Sequence, residues 1–200
     1  MHKPELIFVV GCNAAGKSTF IRTRLNELEG FKILMIDVYK ERTKDLAELS
    51  IAKSENVIIE TVFNDASFKD LVDLARNAGY QTSLVVLFLD NLSQSITRVA
   101  VRGMQQSGIT ISGSNIKINF NESFKNVADY FFYFDTTDFL YTGLSSVNRL
   151  IMSFQKGKLA SYKFNDLVYP QKFAAYSFQR DHLNKGDYDI ILSNKDFAPI

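Results

Sequence analysis

One stretch near the N-terminus has residue types and spacing suited to binding phosphate groups. It fits the pattern G-x-x-x-x-G-K-[ST] followed by a threonine: Gly11, Cys12, Asn13, Ala14, Ala15, Gly16, Lys17, Ser18 and Thr19. In this pattern the glycines permit backbone turns and the amides bind phosphate oxygens, while the lysine reaches the β- and γ-phosphates and the serine hydroxyl ligates Mg²⁺. The motif therefore predicts a nucleoside triphosphate site, with ATP and Mg²⁺ as ligands, Ser18 on the metal and Thr19 beside the α-phosphate.

Transfer of the γ-phosphate needs further residues, and Asp37 is the first candidate. It ends the run K-I-L-M-I-D, where a strand of the sheet is expected to end. A carboxylate there can orient or deprotonate an acceptor hydroxyl near the γ-phosphate. The alternative is that Asp37 caps a helix or a turn, since Asp is common where strands meet loops. Spacing alone leaves the two interpretations evenly matched.

Carboxylates also end two later apolar runs. Glu60 and Thr61 close N-V-I-I-E-T, and we expect them to face the acceptor or the metal, because a buried glutamate without such a partner is costly. Asp90 follows L-V-V-L-F-L and resembles the magnesium-side aspartate of a Walker B strand. Asn91 stands where an ATPase of that kind has a glutamate, so the alternative is that Asp90 begins a helix capped by Asn91.

Two arginines precede a polar segment. Arg98 and Arg102 are four residues apart, so on a helix they point from the same face. Like charges repel there unless an anion binds between them, and the transition state of phosphoryl transfer is such an anion. Solvated surface arginines are the alternative. The polar stretch that follows has no apolar periodicity and is interpreted as a lid of about residues 105–117, with Lys117 supplying a second positive charge from its far side.

Apolar runs that alternate with amphipathic segments indicate an α/β fold, of the nucleotide-kinase-like P-loop NTPase type, with a mostly parallel sheet flanked by helices. Strands are expected at residues 5–10, 32–37, 56–61 and 82–89, with a last one at 147–154. Helices are expected at residues 17–28, 44–53, 65–79 and 92–104, and a further one ends near Asp129 and leads into the aromatic run at 130–134. Parallel sheets place ligands at the carboxyl ends of their strands.

Length and composition favour one domain over residues 1–200. Of the 200 residues 46% are hydrophobic, which is enough to bury one sizeable core. Residues 157–200 mix aromatic and polar side chains without a clear period, and we expect them to pack on the domain as a C-terminal extension.

Charge and cysteine content argue against several classes of function. Lys plus Arg total 23 against 22 for Asp plus Glu, and the formal charge of +1 gives no general attraction to nucleic acid or anionic membrane. Cys12 is the one cysteine, so no internal disulfide can form. The N-terminal apolar run is too short for a signal peptide, and no run reaches membrane-spanning length. We expect a cytoplasmic protein without a nucleic acid or membrane partner.

Taken together, these segments resemble the zeta-toxin family of P-loop kinases. The resemblance rests on G-C-N-A-A-G-K-S-T-F, M-I-D, I-I-E-T-V-F and F-L-D-N, on the arginine pair and on the lid, and it covers about residues 5–157. More narrowly, the chain is similar to the compact stand-alone branch often described as predicted ABC-type ATPases. The resemblance implies that ATP phosphorylates the sugar 3′-hydroxyl of UDP-N-acetylglucosamine and that a small helical antitoxin inhibits the protein.

The resemblance also implies residue roles. Lys17 would hold the phosphates, Asp37 would be the catalytic base, and Arg102 would stabilise the transferred charge. Glu60 and Thr61 would face the acceptor or the metal. The chain departs from the family after the lid, where K-I-N-F replaces a cluster of arginines. A lysine keeps the charge there but loses the bidentate fork of an arginine.

The leading hypothesis is a kinase that transfers the γ-phosphate of ATP to a hydroxyl of a small molecule, such as a nucleotide sugar. Its predicted catalytic residues are Lys17, Asp37, Arg102 and Lys117. Its predicted substrate-binding residues are Glu60, Thr61 and Arg98. One alternative is an ABC-like or other P-loop ATPase with Asp90 on magnesium, although no LSGGQ-like loop is present. The other is an ATP-binding module whose altered lid has lost the transfer chemistry.

Overall fold

The computed structural model describes residues 3–105, 111–143 and 148–198. Its strands, in chain order, are β1 (Glu5–Val10), β2 (Phe31–Met35), β3 (Asn56–Thr61), β4 (Gln81–Phe88), β5 (Thr136–Tyr141), β6 (Arg149–Gln155) and β7 (Lys158–Tyr162). They form one seven-stranded sheet with the order β2-β3-β1-β4-β5-β6-β7. The first five strands in that order are parallel, and β6 and β7 continue the sheet antiparallel. The predicted α/β class with a mostly parallel sheet is confirmed.

Helices flank the sheet between most of the strands. They are α1 (Lys17–Arg22), α2 (Ile36–Tyr39), α3 (Arg42–Ala52), α4 (Lys69–Asn77), α5 (Leu92–Gln105), α6 (Gly113–Tyr130), α7 (Tyr169–Phe178) and α8 (Lys185–Ser193), with a 3₁₀ turn at Phe131–Tyr133. Within the three described ranges, none of these helices has the length and apolar character needed to cross a lipid bilayer.

The central strand β1 has apolar residues on both faces. Successive side chains of a strand point to opposite faces of the sheet. Phe8 packs with Phe134 in the larger apolar cluster. Its neighbour Val9 belongs to a smaller cluster with Ile58 and Leu87. Burial on both faces explains why this strand is a continuous apolar run in the sequence.

The position of β1 fixes where the phosphate loop lies. It pairs with β3 on one side and with β4 on the other, so that Val10 is in register with Thr61 and Val86. The strand order changes direction at this point, and such a switch leaves a crevice beyond the carboxyl ends of the strands. The phosphate loop, which follows β1, therefore lies at this crevice, between the ends of β3 and β4.

The helix after the phosphate loop is shorter than its periodicity predicts. The prediction extends over residues 17–28, but α1 ends at Arg22. The Thr23 hydroxyl donates to the Thr19 carbonyl at 3.0 Å, and the backbone amide of Arg24 bonds only three residues back, to Ile21. A threonine that binds the preceding carbonyls in this way competes with regular helix geometry. The chain continues as turns to β2.

Strand ends also differ from prediction. The strand predicted at residues 32–37 ends at Met35, and Asp37 lies in α2 instead of at the end of the strand. The strand predicted at 147–154 corresponds to β6, but it is not the last, since β7 follows it.

The sequence does not predict β5, which begins with two threonines and an aspartate. These polar residues find partners inside the fold. Thr137 donates to the Phe131 carbonyl at 2.7 Å, and the Ser153 hydroxyl donates to Asp138 at 2.6 Å. The aromatic run at residues 130–134 forms the end of α6 and the 3₁₀ turn that precede this strand.

The C-terminal residues fold into β7, α7 and α8 and pack on the sheet. The Tyr169 ring stacks on Phe88 with 4.3 Å between centroids, and Phe173 is fully buried. At the start of α7, Asp90 Oδ1 accepts the backbone amides of Val168 at 2.7 Å and Tyr169 at 2.8 Å. The carboxylate that follows β4 therefore fastens this part of the chain to the sheet.

Replacing Asp90 with alanine is expected to loosen the start of α7. A carboxylate cap on backbone amides contributes about 1 kcal/mol, which for a chain of this size corresponds to a melting temperature lower by roughly 2–4 °C. ATP affinity should not change. The measurement is thermal unfolding followed by circular dichroism, with the exposed Asp166→Ala as control. An unchanged melting temperature with lost ATP turnover would instead support a metal-binding aspartate of an ATPase.

Candidate active site

The phosphate loop between β1 and α1 has the backbone geometry that its glycines permit. Gly11 has a φ of +149°, and a Cβ at this position would lie 2.1 Å from the Leu87 carbonyl oxygen. Gly16 has a φ of +92° and directly precedes α1. The loop thus approaches β4 more closely than a side chain at Gly11 would allow.

Three side chains from distant parts of the chain hold the outside of the loop. Ser95 Oγ donates to the Asn13 carbonyl at 2.8 Å. Thr142 Oγ1 donates to the Ala15 carbonyl at 2.8 Å. Arg98 donates to the Ala14 carbonyl at 3.3 Å. Because the C=O and N–H of one trans peptide point in opposite directions, the first two contacts turn the amides of the following residues toward the phosphate side.

The Lys17 side chain folds back over this loop. Its Nζ donates to the Gly11 carbonyl at 3.0 Å and the Cys12 carbonyl at 3.3 Å. Desolvation lowers the pKa of the Lys17 ammonium, whereas nearby Glu60 and Asp37 raise it and Arg102 lowers it further. The charges of the two carboxylates and of Arg102 therefore all act on the same ammonium group.

Glu60 contacts the predicted metal ligand directly. The Ser18 hydroxyl donates to Glu60 Oε1 at 3.0 Å. Glu60 is only 6% exposed. Its other oxygen, Oε2, is buried and has no hydrogen-bond partner among the described residues. A buried carboxylate oxygen without a partner is unfavourable unless a ligand completes the site.

These oxygens fit Mg²⁺. The ion prefers hard oxygen ligands in octahedral geometry and usually keeps several waters, binding through one or two protein oxygens and the substrate phosphates. Ser18 and Glu60 supply such oxygens beside the phosphate loop. In the described part of the chain, no cluster of three or more His, Cys, Asp and Glu side chains could hold a metal. Phosphate oxygens and waters would therefore complete the coordination.

Asp37 lies just beyond the end of the neighbouring strand β2. Met35, the last residue of β2, is in register with Glu60, and Asp37 follows two residues later in the exposed first turn of α2. The Thr61 hydroxyl already has one partner in a turn, since its Oγ1 accepts the Phe63 amide at 3.1 Å. Asp37 is exposed in the first turn of α2, and its role at an acceptor stays a prediction.

The two arginines of α5 differ in their surroundings. Arg98 donates to the carbonyls of Thr142 and Gly143 as well as to Ala14. Its guanidinium is therefore occupied by backbone carbonyls and holds the loop in place, whereas the sequence predicts that it contacts substrate. Arg102 lies one turn further on, is exposed, and is near enough to Lys17 to affect its pKa.

Replacing Arg98 with lysine is expected to destabilise the protein although the charge is kept. An ammonium cannot form the planar fork that joins Ala14 to Thr142 and Gly143. Carbonyls left without a donor cost about 2 kcal/mol, so the melting temperature should fall by roughly 4–8 °C. The measurement is thermal unfolding, with the exposed Thr97→Ala of the same helix as control. A wild-type melting temperature in Arg98→Lys would show that the fork does not hold the loop.

The predicted lid is only partly described. Residues 106–110 lie outside the described residues, Gln105 ends α5, and residues 113–117 form the first turns of α6, so this part is helical. Lys117 is exposed on α6. It lies about 200° around the helix from Asn119, and Asn119 is the residue that contacts the loop, at Asn13. The structure therefore turns Lys117 away from the loop.

Sequence reasoning missed several residues of the site. Asn119, Ser95 and Thr142 all contact the phosphate loop and come from 82 to 127 residues further along the chain. Their residue types are common on helices and loops, and no motif marks them. Asp90 is the opposite case, a residue that the sequence suggests for the site. Its position in the sequence is that of a Walker B aspartate, but in the structure it caps α7.

Comparisons with known proteins identify the fold. No protein-family model and no curated protein sequence matches the chain. Solved structures do match. The PezAT chromosomal toxin-antitoxin system of Streptococcus pneumoniae aligns with a TM-score of 0.51 and 14% identity, over 74% of this chain and 72% of that one. The complex of AvrRxo1-ORF1 and AvrRxo1-ORF2 with ATP aligns with a TM-score of 0.61 and 11% identity, over 98% and 78%.

A third similar structure is the Pnkp1/Rnl/Hen1 RNA repair complex, with a TM-score of 0.52 and 24% identity. The match covers 62% of this chain and 45% of that one. At these identities the likeness concerns the fold alone. The chain shares its fold with these structures, which agrees with the fold that the resemblance in the sequence predicts.

Proposed function

We propose that this protein is an ATP-dependent kinase that transfers the γ-phosphate to a hydroxyl group of a small molecule. The observation that carries the proposal is the contact between Ser18 and Glu60 beside Lys17, with Asp37 in the helix that follows the adjacent strand. A phosphate loop alone accounts for nucleotide binding. The added carboxylates give one group for the metal and one for an acceptor. The presence of ATP in the similar AvrRxo1 complex supports ATP as the nucleotide.

Binding of ATP begins with Lys17. In the structure its ammonium donates to the carbonyls of Gly11 and Cys12. The β- and γ-phosphates offer a stronger, charge-assisted partner, so Lys17 turns to them when ATP enters. Mg²⁺ held by Ser18 and Glu60 would neutralise charge on the same phosphates.

Transfer then depends on position and charge. Asp37 accepts the proton of the acceptor hydroxyl while the hydroxyl oxygen bonds to the γ-phosphorus. The bond from that phosphorus to the β–γ bridging oxygen breaks, and ADP leaves with the electron pair. Arg102, brought near Lys17 by α5, stabilises the charge on the transferred group. The proposed catalytic residues are Lys17, Asp37 and Arg102. A catalytic role for Lys117 would require α6 to change its orientation relative to the phosphate loop.

The acceptor and the partner are proposed from the resemblance to zeta toxins. A nucleotide sugar such as UDP-N-acetylglucosamine is the first acceptor to test. A small helical antitoxin is the proposed protein partner, and the toxin-antitoxin system among the similar structures supports it. The ATPase alternative is weakened because one oxygen of Asp90, its expected magnesium ligand, already accepts the amides of Val168 and Tyr169.

An acceptor-dependence assay tests the proposal. The purified protein is incubated with ATP and Mg²⁺, with or without UDP-N-acetylglucosamine, and in parallel with or without the small-molecule fraction of a cell extract. ADP release is followed by a coupled enzyme assay. We expect ADP to accumulate only when an acceptor is present. Equal ADP release with and without every acceptor would contradict the kinase proposal and favour an ATPase.

A further inference from the structure

Three asparagine side chains connect the phosphate loop to two other parts of the site. Asn119 Nδ2 on α6 donates to Asn13 Oδ1 in the loop at 2.9 Å. Asn64 Nδ2, from the segment after β3, donates to Asn119 Oδ1 at 3.4 Å. We call Asn13, Asn119 and Asn64 the asparagine bridge. Asn119 is its centre because it uses both its donor and its acceptor.

The bridge joins segments that are distant in the chain. Asn119 lies 106 residues after Asn13 and 55 residues after Asn64. The backbone of Asn13 is itself fixed, since its carbonyl accepts Ser95 Oγ at 2.8 Å. Asn64 is four residues beyond Glu60, which contacts Ser18. The bridge therefore attaches α6 to both the phosphate loop and the segment that follows β3.

The chemistry of the bridge favours positioning over charge neutralisation. A primary amide has directional donors and acceptors but no net charge. A further cation in contact with the phosphate loop would add to the charge of Lys17 when no phosphate is present, whereas an amide does not. Asn119 also lies in the second turn of α6, the helix that begins at Gly113. A bond from Asn119 to the loop fixes the position of those first turns.

We propose that the asparagine bridge couples occupation of the phosphate loop to the position of α6, with Asn119 as a positioning residue. The proposal rests on the proposed function only in taking ATP as the ligand. ATP orders the loop and with it Asn13, and Asn119 transmits this order to α6. In return, a bridge that is already formed holds Asn13 in place before ATP arrives and so favours ATP binding.

A double-mutant cycle tests the coupling. Asn13→Ala and Asn119→Ala are each expected to raise the Kd of a non-hydrolysable ATP analogue with Mg²⁺ by about three- to tenfold. Because both changes break the same hydrogen bond, the Kd of the double variant for the analogue should not exceed the higher Kd of the two single variants. Binding is measured by isothermal titration calorimetry. The exposed Asn121→Ala of the same helix is the matched control and should bind as the wild type does.

A second readout follows α6 itself. Amide hydrogen exchange at residues 113–121 is expected to slow when the analogue binds to the wild type but not when it binds to Asn119→Ala. If Asn119→Ala does not fold, Asn119→Leu replaces it in both experiments. Leucine is close to asparagine in size and can neither donate nor accept a hydrogen bond, so it should give the same loss of coupling.

Two results would overturn the proposal: a wild-type Kd in Asn119→Ala, or a double variant whose loss equals the product of the two single losses. Neither depends on phosphate transfer. A coupled bridge in a protein that phosphorylates no acceptor would contradict the proposed function and leave the bridge in place. An uncoupled bridge in an active kinase would contradict the bridge proposal and leave the proposed function in place.

Discussion

Replacing Lys17 with methionine is expected to lower the rate of phosphate transfer by about a thousandfold, because the variant loses the cation that stabilises the β- and γ-phosphates in the transition state. Binding of ATP should weaken as well. Stability should change little, because removing a desolvated charge offsets the loss of the donor to the Gly11 and Cys12 carbonyls. Transfer is measured as phosphorylated acceptor, and stability by thermal unfolding.

The control for this variant is Lys172→Met, which makes the same chemical change at an exposed position on α7. It should transfer phosphate at the wild-type rate. If Lys17→Met transferred phosphate within tenfold of the wild type, the loop lysine would not act on the phosphates. If it lost activity only because it unfolded, its melting temperature would fall together with its rate.

Replacing Asp37 with asparagine is expected to lower the rate of transfer by roughly 10²- to 10⁴-fold while ATP affinity stays within twofold of the wild type. The amide keeps the shape of the side chain but cannot accept the proton of the acceptor hydroxyl. Asp37 is exposed in α2 and bonds to no phosphate-loop group in the described contacts, so the nucleotide site should remain intact. The measurement is single-turnover transfer, with ATP binding determined separately by calorimetry.

The control here is Asp45→Asn, an exposed aspartate on α3 with the same change in charge. Equal rates for Asp37→Asn and Asp45→Asn would contradict the role of Asp37 as base. A loss of ATP binding in Asp37→Asn would show instead that its charge acts through Lys17, whose pKa it raises.

The sequence predicts well the part of the fold in which local pattern and burial agree. β1 and β3 match their predicted bounds, because strands buried on both faces are continuous apolar runs. It fails where tertiary contacts replace local pattern. β5 starts with Thr136, Thr137 and Asp138, which are tolerated inside the sheet because a carbonyl and two serine hydroxyls satisfy all three.

The candidate site shows the same division. The phosphate loop is predictable because one short motif contains all of its parts. The surroundings of the loop are not, since Asn119 meets Asn13 across 106 residues and no local signal marks such a contact. Spacing correctly places Arg98 and Arg102 on one face of a helix, but it does not reveal that Arg98 is taken up by backbone carbonyls. Residue spacing predicts the helix face from which a side chain points, whereas the group that the side chain contacts depends on the complete fold.

The central claim is that the γ-phosphate goes to an acceptor and not to water. The most direct test supplies ATP labelled with heavy oxygen at the γ-phosphate, together with Mg²⁺ and the small-molecule fraction of a cell extract, and follows the label by mass spectrometry. We expect the label in a phosphate ester of a small molecule, and its absence from that ester in Asp37→Asn. Label found only in inorganic phosphate, at equal rates with and without the extract, would contradict the account.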